Sequence, residues 1–129
     1  MLTIAEILKK DISDELRDFA IKGLASRPGG YVLAVDFDGT LCWDEYPEIG
    51  EQRNYTISPV RRVKDLGVKV ILWTCREGTL LDIALAWCAE RGLIFDAVND
   101  NTEERKALYG NNPRKVGYDE LWDDRAERP

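Results

Sequence analysis

Apolar residues recur at helical spacing near the start of the chain. Over residues 3–24 they return every three or four positions, as on one face of an amphipathic helix. Thr3 and Glu6 have the spacing of a capping box at its start. Ser13 is a potential second N-cap, so we expect a break near residues 11–13. The segment is predicted to pack on the chain's own core, with a dimerisation or partner-binding arm as the alternative.

Short continuous apolar runs predict strands further along. Four such runs occur, at residues 31–35, 68–73, 94–98 and 118–122. Runs without alternation are typical of strands in a parallel sheet that is covered on both faces. Asp119 and Glu120 interrupt the last run, which therefore predicts an edge strand or an irregular one.

Capping and breaking residues predict helices between these strands. Ser58 and Pro59 resemble an N-cap followed by the first helical position. Thr79 and Thr102 are the predicted N-caps of two further helices. Gly67 is predicted to end the helix that starts at Ser58, and Gly92 the helix that starts at Thr79. Residues 41–57 are rich in Trp, Tyr, Pro and Gly without a helical period, and we interpret them as a loop or small hairpin.

Alternation of strands and helices predicts an α/β fold: a three-layer, Rossmann-like parallel sheet with right-handed crossovers. Residues 27–30 (Arg-Pro-Gly-Gly) read as a linker, so residues 1–28 are predicted to be an N-terminal helical extension and residues 29–129 the catalytic domain. We expect the extension to pack over a sheet face that the short C-terminal end leaves bare. A chain of 129 residues suits a single domain overall.

Composition narrows the possible chemistry. Histidine is absent, which excludes His-dependent triads and leaves acid–base work to carboxylates, Lys, Cys or Tyr. The net charge of −6 disfavours nucleic acid as a partner unless a local basic patch exists. An odd count of three cysteines, with no C-x-x-C, argues against disulfides or a zinc site. We expect a cytoplasmic protein without a secretory signal or a membrane span.

Polar residues close each of the apolar runs. Asp36, Thr74, Asn99 and Asp123 lie at the predicted carboxyl ends of the four strands. One such residue alone is readily explained as a cap or turn residue. Four together indicate a ligand site, because ligands of open parallel sheets bind outside the carboxyl ends of the strands.

The segment after the first strand is the most specific, reading Asp36-Phe37-Asp38-Gly39-Thr40-Leu41. Gly39 permits a tight turn that lets Asp36 and Asp38 reach one pocket. Two carboxylates this close need a cation if both are to stay ionised. A calcium loop of EF-hand type is disfavoured, because Pro47 occupies the position of its bidentate Glu.

This segment resembles the first motif of the haloacid dehalogenase (HAD) superfamily. Thr74 resembles the second motif, Lys115 is a candidate for the third, and Asp123-Asp124 resembles the fourth. Residues 73–76 (Trp-Thr-Cys-Arg) and 123–125 (Asp-Asp-Arg) are most similar to a small, capless branch. The spacing between the motifs leaves no room for an independent cap domain.

The resemblance implies a Mg²⁺-dependent phosphatase. Asp36 would be the nucleophile that forms an aspartyl-phosphate, and Asp38 the general acid and then base. Thr74 would bind a phosphoryl oxygen and Lys115 would neutralise charge, unless Lys115 is an ordinary surface lysine. The expected metal ligands are Asp36, the Asp38 carbonyl, Asp123 and Asp124.

Further residues are candidates for substrate binding, namely Gly39, Thr40, Cys75, Arg76 and Asn99. Arg76 could instead form a surface salt bridge. Asn99 could hydrogen-bond the acidic pair Asp123-Asp124. Cys75 and Cys88 are expected to be buried. Trp43 and Tyr46 would be pocket walls, or residues that pack the core or lid.

The expected substrate is a phosphorylated small molecule, which a partner protomer of a homo-oligomer could enclose, or the phosphate end of a macromolecule. Two other classes stay open. A receiver-like signalling domain uses similar residues, but there the acidic pair lies on the first strand. A non-catalytic binding or assembly protein on the same fold is the other.

Overall fold

The computed structural model describes residues 2–110 and 117–124. Its helices are α1 (Ile4–Leu8), α2 (Asp14–Ala25), α3 (Asn54–Asp65), α4 (Gly78–Glu90) and α5 (Glu103–Tyr109). Its strands are β1 (Val32–Val35), β2 (Cys42–Glu45), β3 (Glu48–Gln52), β4 (Lys69–Leu72), β5 (Ala97–Val98) and β6 (Glu120–Trp122). None of the helices in these two ranges is both long and apolar enough to cross a bilayer.

Two separate helices form the N-terminal segment, as its capping residues predict. Thr3 and Glu6 make a complete capping box at the start of α1. Ser13 accepts a hydrogen bond from the Leu16 backbone at 3.2 Å and caps α2. The predicted break near residues 11–13 is confirmed.

A four-stranded parallel sheet forms the centre of the α/β fold. Its order is β5-β4-β1-β6, so β6 lies at an edge of this sheet, in agreement with the edge or irregular strand predicted from Asp119 and Glu120. The chain moves outward from β1 to β4 and β5, then returns past β1 to β6. With right-handed connections, this reversal places a topological switch point between β1 and β6.

The start of α3 differs from the sequence prediction. The helix begins at Asn54, so Ser58 and Pro59 lie inside it rather than at its N-cap. Proline removes one backbone hydrogen bond, to the carbonyl of the residue four positions earlier. That residue is Tyr55, which is 70 % exposed, so water can satisfy its carbonyl. The predicted end is confirmed, because Gly67 follows the helix with φ of 102°.

Two other boundaries also differ. Thr79 lies inside α4, whose N-cap is Glu77 without a side-chain hydrogen bond. The strand predicted over residues 94–98 is β5, which has only two residues, and Ile94 lies before it and is exposed. The Asp96 N–H donates to the Val70 carbonyl at 2.8 Å and the Asp96 carboxylate accepts the Val70 N–H at 2.8 Å, so one backbone and one side-chain hydrogen bond join these two residues ahead of the strand.

Both faces of the sheet are buried. Leu33, Val35, Val70 and Leu72 belong to a large cluster shared with α1, α2, α3 and α4, while Val32, Ala34 and Ile71 form a small cluster on the other face. Ile4, Ile7 and Ile21 are buried in the large cluster. The N-terminal helices therefore complete the core of the remaining chain, which confirms the expected packing on the chain's own core, on the sheet face that α3 and α4 also cover.

Glu120, in the edge strand β6, is hydrogen-bonded to the first turn of α1. Its buried carboxylate accepts the backbone N–H groups of Ile4 at 2.7 Å and Ala5 at 2.9 Å. It also accepts the Tyr31 hydroxyl at 2.9 Å and the Trp122 indole N–H at 2.7 Å. An acidic residue in a strand is thus stabilised by four donors, which sequence reasoning did not find.

Candidate active site

The carboxyl ends of β1 and β6 bring the two acidic motifs together. The Asp36 N–H donates to the Trp122 carbonyl at 3.0 Å, so the residues after both strands start side by side. A Cβ added at Gly39 would lie 3.6 Å from the Cβ of Asp124. The predicted proximity of the first and fourth motifs is confirmed, and they flank the switch point of the sheet.

Asp36 lies in an unfavourable place for a negative charge. Partial burial, followed by the charges of Asp124, Asp123 and Asp38, raises its pKa to about 6. The Phe37 backbone N–H, 2.8 Å from the Asp36 carboxylate, opposes part of that rise in pKa. A cation at this position would relieve the repulsion among the four carboxylates.

The turn after β1 is shaped by its backbone. Gly39 has φ of 84°, a conformation that favours glycine, and its N–H donates to the Cys42 carbonyl at 2.9 Å. Thr40 is fully buried, which argues against a substrate contact through its hydroxyl. Gly39 and Thr40 therefore shape the turn, and a substrate contact by their backbone stays a prediction.

Arg76 forms a buried ion pair with Asp38. Its Nε and Nη2 each lie 2.8 Å from a different oxygen of the Asp38 carboxylate. The surface salt bridge considered from sequence is wrong, because the Arg76 side chain has no solvent exposure. A charge this deep in the protein requires a partner, and the bidentate pairing supplies it.

Thr74 and Asn99 form a second connection at the sheet edge. The Asn99 amide accepts the Thr74 N–H at 2.8 Å and donates to the Thr74 carbonyl at 2.9 Å. The Thr74 hydroxyl accepts the Arg76 N–H at 3.1 Å. The expected hydrogen bond from Asn99 to the acidic pair is wrong, because Asn99 binds the backbone of Thr74 instead. Left-handed φ of 50° suits an asparagine at that position.

An antiparallel hairpin, β2 and β3, follows the turn and confirms the predicted small hairpin. Arg53, which sequence reasoning missed, donates to the Gly39 carbonyl at 2.6 Å and lies 4.5 Å from the Trp43 ring centroid. Trp43 and Tyr46 are 55 % and 56 % exposed, so neither is a core residue. An arginine closing an aromatic-rich segment was the available signal, but it is a weak one.

The other predicted residues are placed as follows. Cys75 is exposed, so its expected burial is wrong, whereas Cys88 is buried and burial raises its thiol pKa to about 12. Cys75 follows Thr74 on the loop after β4, where it turns toward solvent. Lys115 and Arg125 lie outside the described residues, and the role of Lys115 stays a prediction.

The oxygen groups near Asp36 fit a hard cation such as Mg²⁺, which takes few carboxylates and keeps several waters. Burial first and the neighbouring carboxylates second raise the pKa of Asp36, and a bound cation would offset both effects. Over residues 2–110 and 117–124, no three His, Cys, Asp or Glu side chains are grouped closely enough to chelate a metal by themselves. A site here would depend on backbone oxygen and water as well.

Comparisons with known proteins give one relationship. The chain is similar to the solved structure of a conserved protein from Bacteroides thetaiotaomicron, with 39 % sequence identity and a TM-score of 0.64. The match covers 73 % of this chain and 75 % of the other. The chain belongs to the family of that conserved protein. No protein-family model and no curated protein matches the chain.

Proposed function

We propose that the chain is a Mg²⁺-dependent phosphomonoester hydrolase of the HAD type, acting through an aspartyl-phosphate at Asp36. The observation that carries the proposal is the position of Asp36, at the tip of β1 and within reach of the charges of Asp38, Asp123 and Asp124. Phosphoryl-transfer sites need such carboxylates, because they hold the cation that offsets the charge of the phosphate.

The residues present fit Mg²⁺ held by the Asp36 carboxylate, the Asp38 carbonyl and one or both of Asp123 and Asp124. When bound, the ion would offset the repulsion between a carboxylate nucleophile and a phosphate. Thr74 is anchored by Asn99 through both of its backbone groups at the neighbouring strand end, and its hydroxyl, which accepts the Arg76 N–H, keeps a proton to donate to a phosphoryl oxygen. Lys115, which lies outside the described residues, is proposed to neutralise the charge of the nucleophile and the charge that develops on the phosphate.

The chemistry of these residues balances in two steps. An Asp36 oxygen attacks phosphorus, the bond to the leaving oxygen breaks, and that oxygen takes a proton from the carboxyl group of Asp38, which must enter this step protonated although it accepts from Arg76 in the resting structure. Asp38 then takes a proton from water, which attacks phosphorus and breaks the bond to Asp36. Inorganic phosphate leaves, and both aspartates return to their starting states.

A capless arrangement belongs to the same proposal. The segment between the first and second motifs contains the β2–β3 hairpin and α3, without a separate globular cap. Trp43 and Tyr46 on the hairpin are exposed and would form one wall of the entrance. We infer an open site for a phosphorylated small molecule or the phosphate end of a macromolecule. The net charge of −6 favours the small molecule.

The direct test is release of phosphate from p-nitrophenyl phosphate with Mg²⁺ and with excess chelator. We expect turnover only with the metal, and Asp36→Asn to lower kcat/KM by more than ~10³-fold, on the order of 4 kcal/mol. Asp82→Asn is the matched control, because Asp82 is an exposed residue of α4. Undiminished activity in Asp36→Asn would remove Asp36 from the nucleophile role.

A wider panel of alkyl phosphates, sugar phosphates, nucleotides and oligonucleotide 5′ and 3′ phosphates would define the substrate class. Phosphate release from none of them, together with intact Mg²⁺ binding, would favour a non-catalytic assembly protein on this fold. A phosphoprotein that persists without turnover would favour a signalling domain.

A further inference from the structure

Arg76 approaches Asp38 from the protein interior. The arginine side chain has 0 % exposure, whereas that of Asp38 has 18 %. Both carboxylate oxygens are held by Arg76, each at 2.8 Å. The inner side of the carboxylate is therefore fixed, while its outer side remains open to solvent at the sheet edge.

The same guanidinium also holds the hairpin. Its Nη2 donates to the Glu48 carbonyl at 3.1 Å. Its centre lies 5.1 Å from the ring centroid of Tyr46, on the hairpin, and 5.1 Å from that of Phe37, in the turn after β1. One buried side chain thus connects the loop after β4, the turn carrying Asp38 and the hairpin.

We propose that Arg76 is a positioning residue, which orients the Asp38 carboxylate and couples that orientation to the position of the β2–β3 hairpin. The consequence for catalysis rests on the proposed function, whereas the coupling itself does not. Burial argues against a substrate contact by Arg76: its exposed fraction is 1 %, its Nε and Nη2 are already bonded, and its Nη1, which has no hydrogen-bond partner among the described residues, is also buried.

This role depends on the planar guanidinium group, whose several N–H donors bind both Asp38 oxygens and the Glu48 carbonyl at the same time. A lysine keeps the positive charge but is a single point donor, so it would bind one carboxylate oxygen and could not also reach Glu48 in the same geometry. Arg76→Lys therefore separates the loss of orientation from the loss of charge. Arg91→Lys is the control, since Arg91 also lies beside the hairpin, where it donates to Gln52 at 2.7 Å.

The activity test compares an alkyl phosphate with p-nitrophenyl phosphate. A nitrophenolate leaves without a proton, whereas an alkoxide needs one from a well-oriented acid. We expect Arg76→Lys to lower kcat/KM on the alkyl phosphate at least ~10-fold more than on the aryl phosphate, because kcat/KM reports the step in which the leaving group departs. In the Asp38→Asn background, the same change should alter that ratio by less than ~2-fold, because the two residues act as one unit.

Tyr46→Ala provides a variant that leaves the buried charge in place. Tyr46 is 56 % exposed, so its removal should not prevent folding. We expect a smaller fall in the alkyl-to-aryl ratio, which again disappears in the Asp38→Asn background. An unchanged ratio in both Arg76→Lys and Tyr46→Ala, or a rise in kcat/KM on the alkyl phosphate, would overturn the positioning role.

Hydrogen exchange tests the coupling without any turnover. In Asp38→Asn we expect faster amide exchange across residues 42–52, since Arg76 loses its anionic partner and the hairpin loses its anchor, and unchanged exchange in α2. Unchanged exchange across residues 42–52 would overturn the coupling. Faster exchange together with no phosphatase activity in the wild-type protein would retain the coupling and reject the proposed function.

Discussion

Asp36→Asn should stabilise the metal-free protein at neutral pH. The carboxyl of Asp36 has its pKa raised to about 6 by burial and by the three neighbouring aspartates, above its ordinary value. Its ionised form is therefore penalised in the folded state. Asparagine keeps the oxygen that accepts the Phe37 N–H at 2.8 Å and removes the charge.

The magnitude follows from linkage between protonation and folding. One pKa unit corresponds to ~1.4 kcal/mol, so a pKa raised to about 6 from an unfolded value near ~3.9 gives an upper limit of about 3 kcal/mol. Asp36 is only partly buried and water screens its neighbours, which reduces the expected gain to about 1–2 kcal/mol. For a domain of this size that is a rise in Tm of roughly 5 °C.

The pH dependence has a definite sign. Between the unfolded pKa and the folded pKa of about 6, the folded state binds more protons than the unfolded state, so this carboxyl lowers stability as pH rises. The stabilisation by Asp36→Asn should therefore be complete above pH 6 and fall to roughly half by about pH 5.

Urea unfolding in chelator, at about pH 7.5 and about pH 5, measures both quantities. Asp82→Asn serves as the control for a surface aspartate. A lower stability of Asp36→Asn than of the wild type at the higher pH would refute the crowded-carboxylate reasoning. Added Mg²⁺ should stabilise the wild type and have little effect on Asp36→Asn.

Four further outcomes are expected. Gly39→Ala should lower the free energy of unfolding by about 1–2 kcal/mol, because alanine is strained at φ of 84°; urea unfolding measures it, and an unchanged value would contradict the account. Glu120→Ala should lower the free energy of unfolding by about 3 kcal/mol or more, since four donors lose their acceptor. Deleting residues 1–28 should lower Tm, because it removes two of those donors together with α1 and α2. Unchanged melting in either variant would count against the packing described. Asn99→Ala should reduce kcat about tenfold by releasing Thr74, equivalent to ~1.4 kcal/mol, whereas wild-type kcat would show that this anchor is dispensable.

The parallel strands and the meeting of the two acidic motifs at one edge of the sheet were predictable from local patterns, whereas the strand order was not. Continuous apolar runs predict buried parallel strands, and the carboxyl ends of such strands share one edge. Asp36 and Asp123 are therefore brought together by topology alone. The helix caps at Thr3, Ser13 and Thr102 were equally predictable, because each side chain satisfies a backbone N–H close to it in sequence.

Long-range polar pairings were not predictable from the sequence. The pairing of Arg76 with Asp38 spans 38 residues, and that of Ile4 with Glu120 spans 116. Neither pairing produces a periodic pattern in the sequence. Each depends on which polar groups become buried away from water once the core has formed. The start of α3 was misjudged for a different reason: Pro59 is tolerated inside the helix at a point where the lost carbonyl partner is at the surface.

Formation of an aspartyl-phosphate at Asp36 is the central claim, and chemical trapping tests it most directly. Protein mixed with substrate and Mg²⁺ is quenched within the first turnover and reduced with borohydride, which converts a phosphorylated aspartate to homoserine. Peptide mass spectrometry should then find homoserine in place of Asp36, and only when substrate and metal are both present. Metal-dependent turnover with an unmodified Asp36, or with the modification at another residue, would contradict the account.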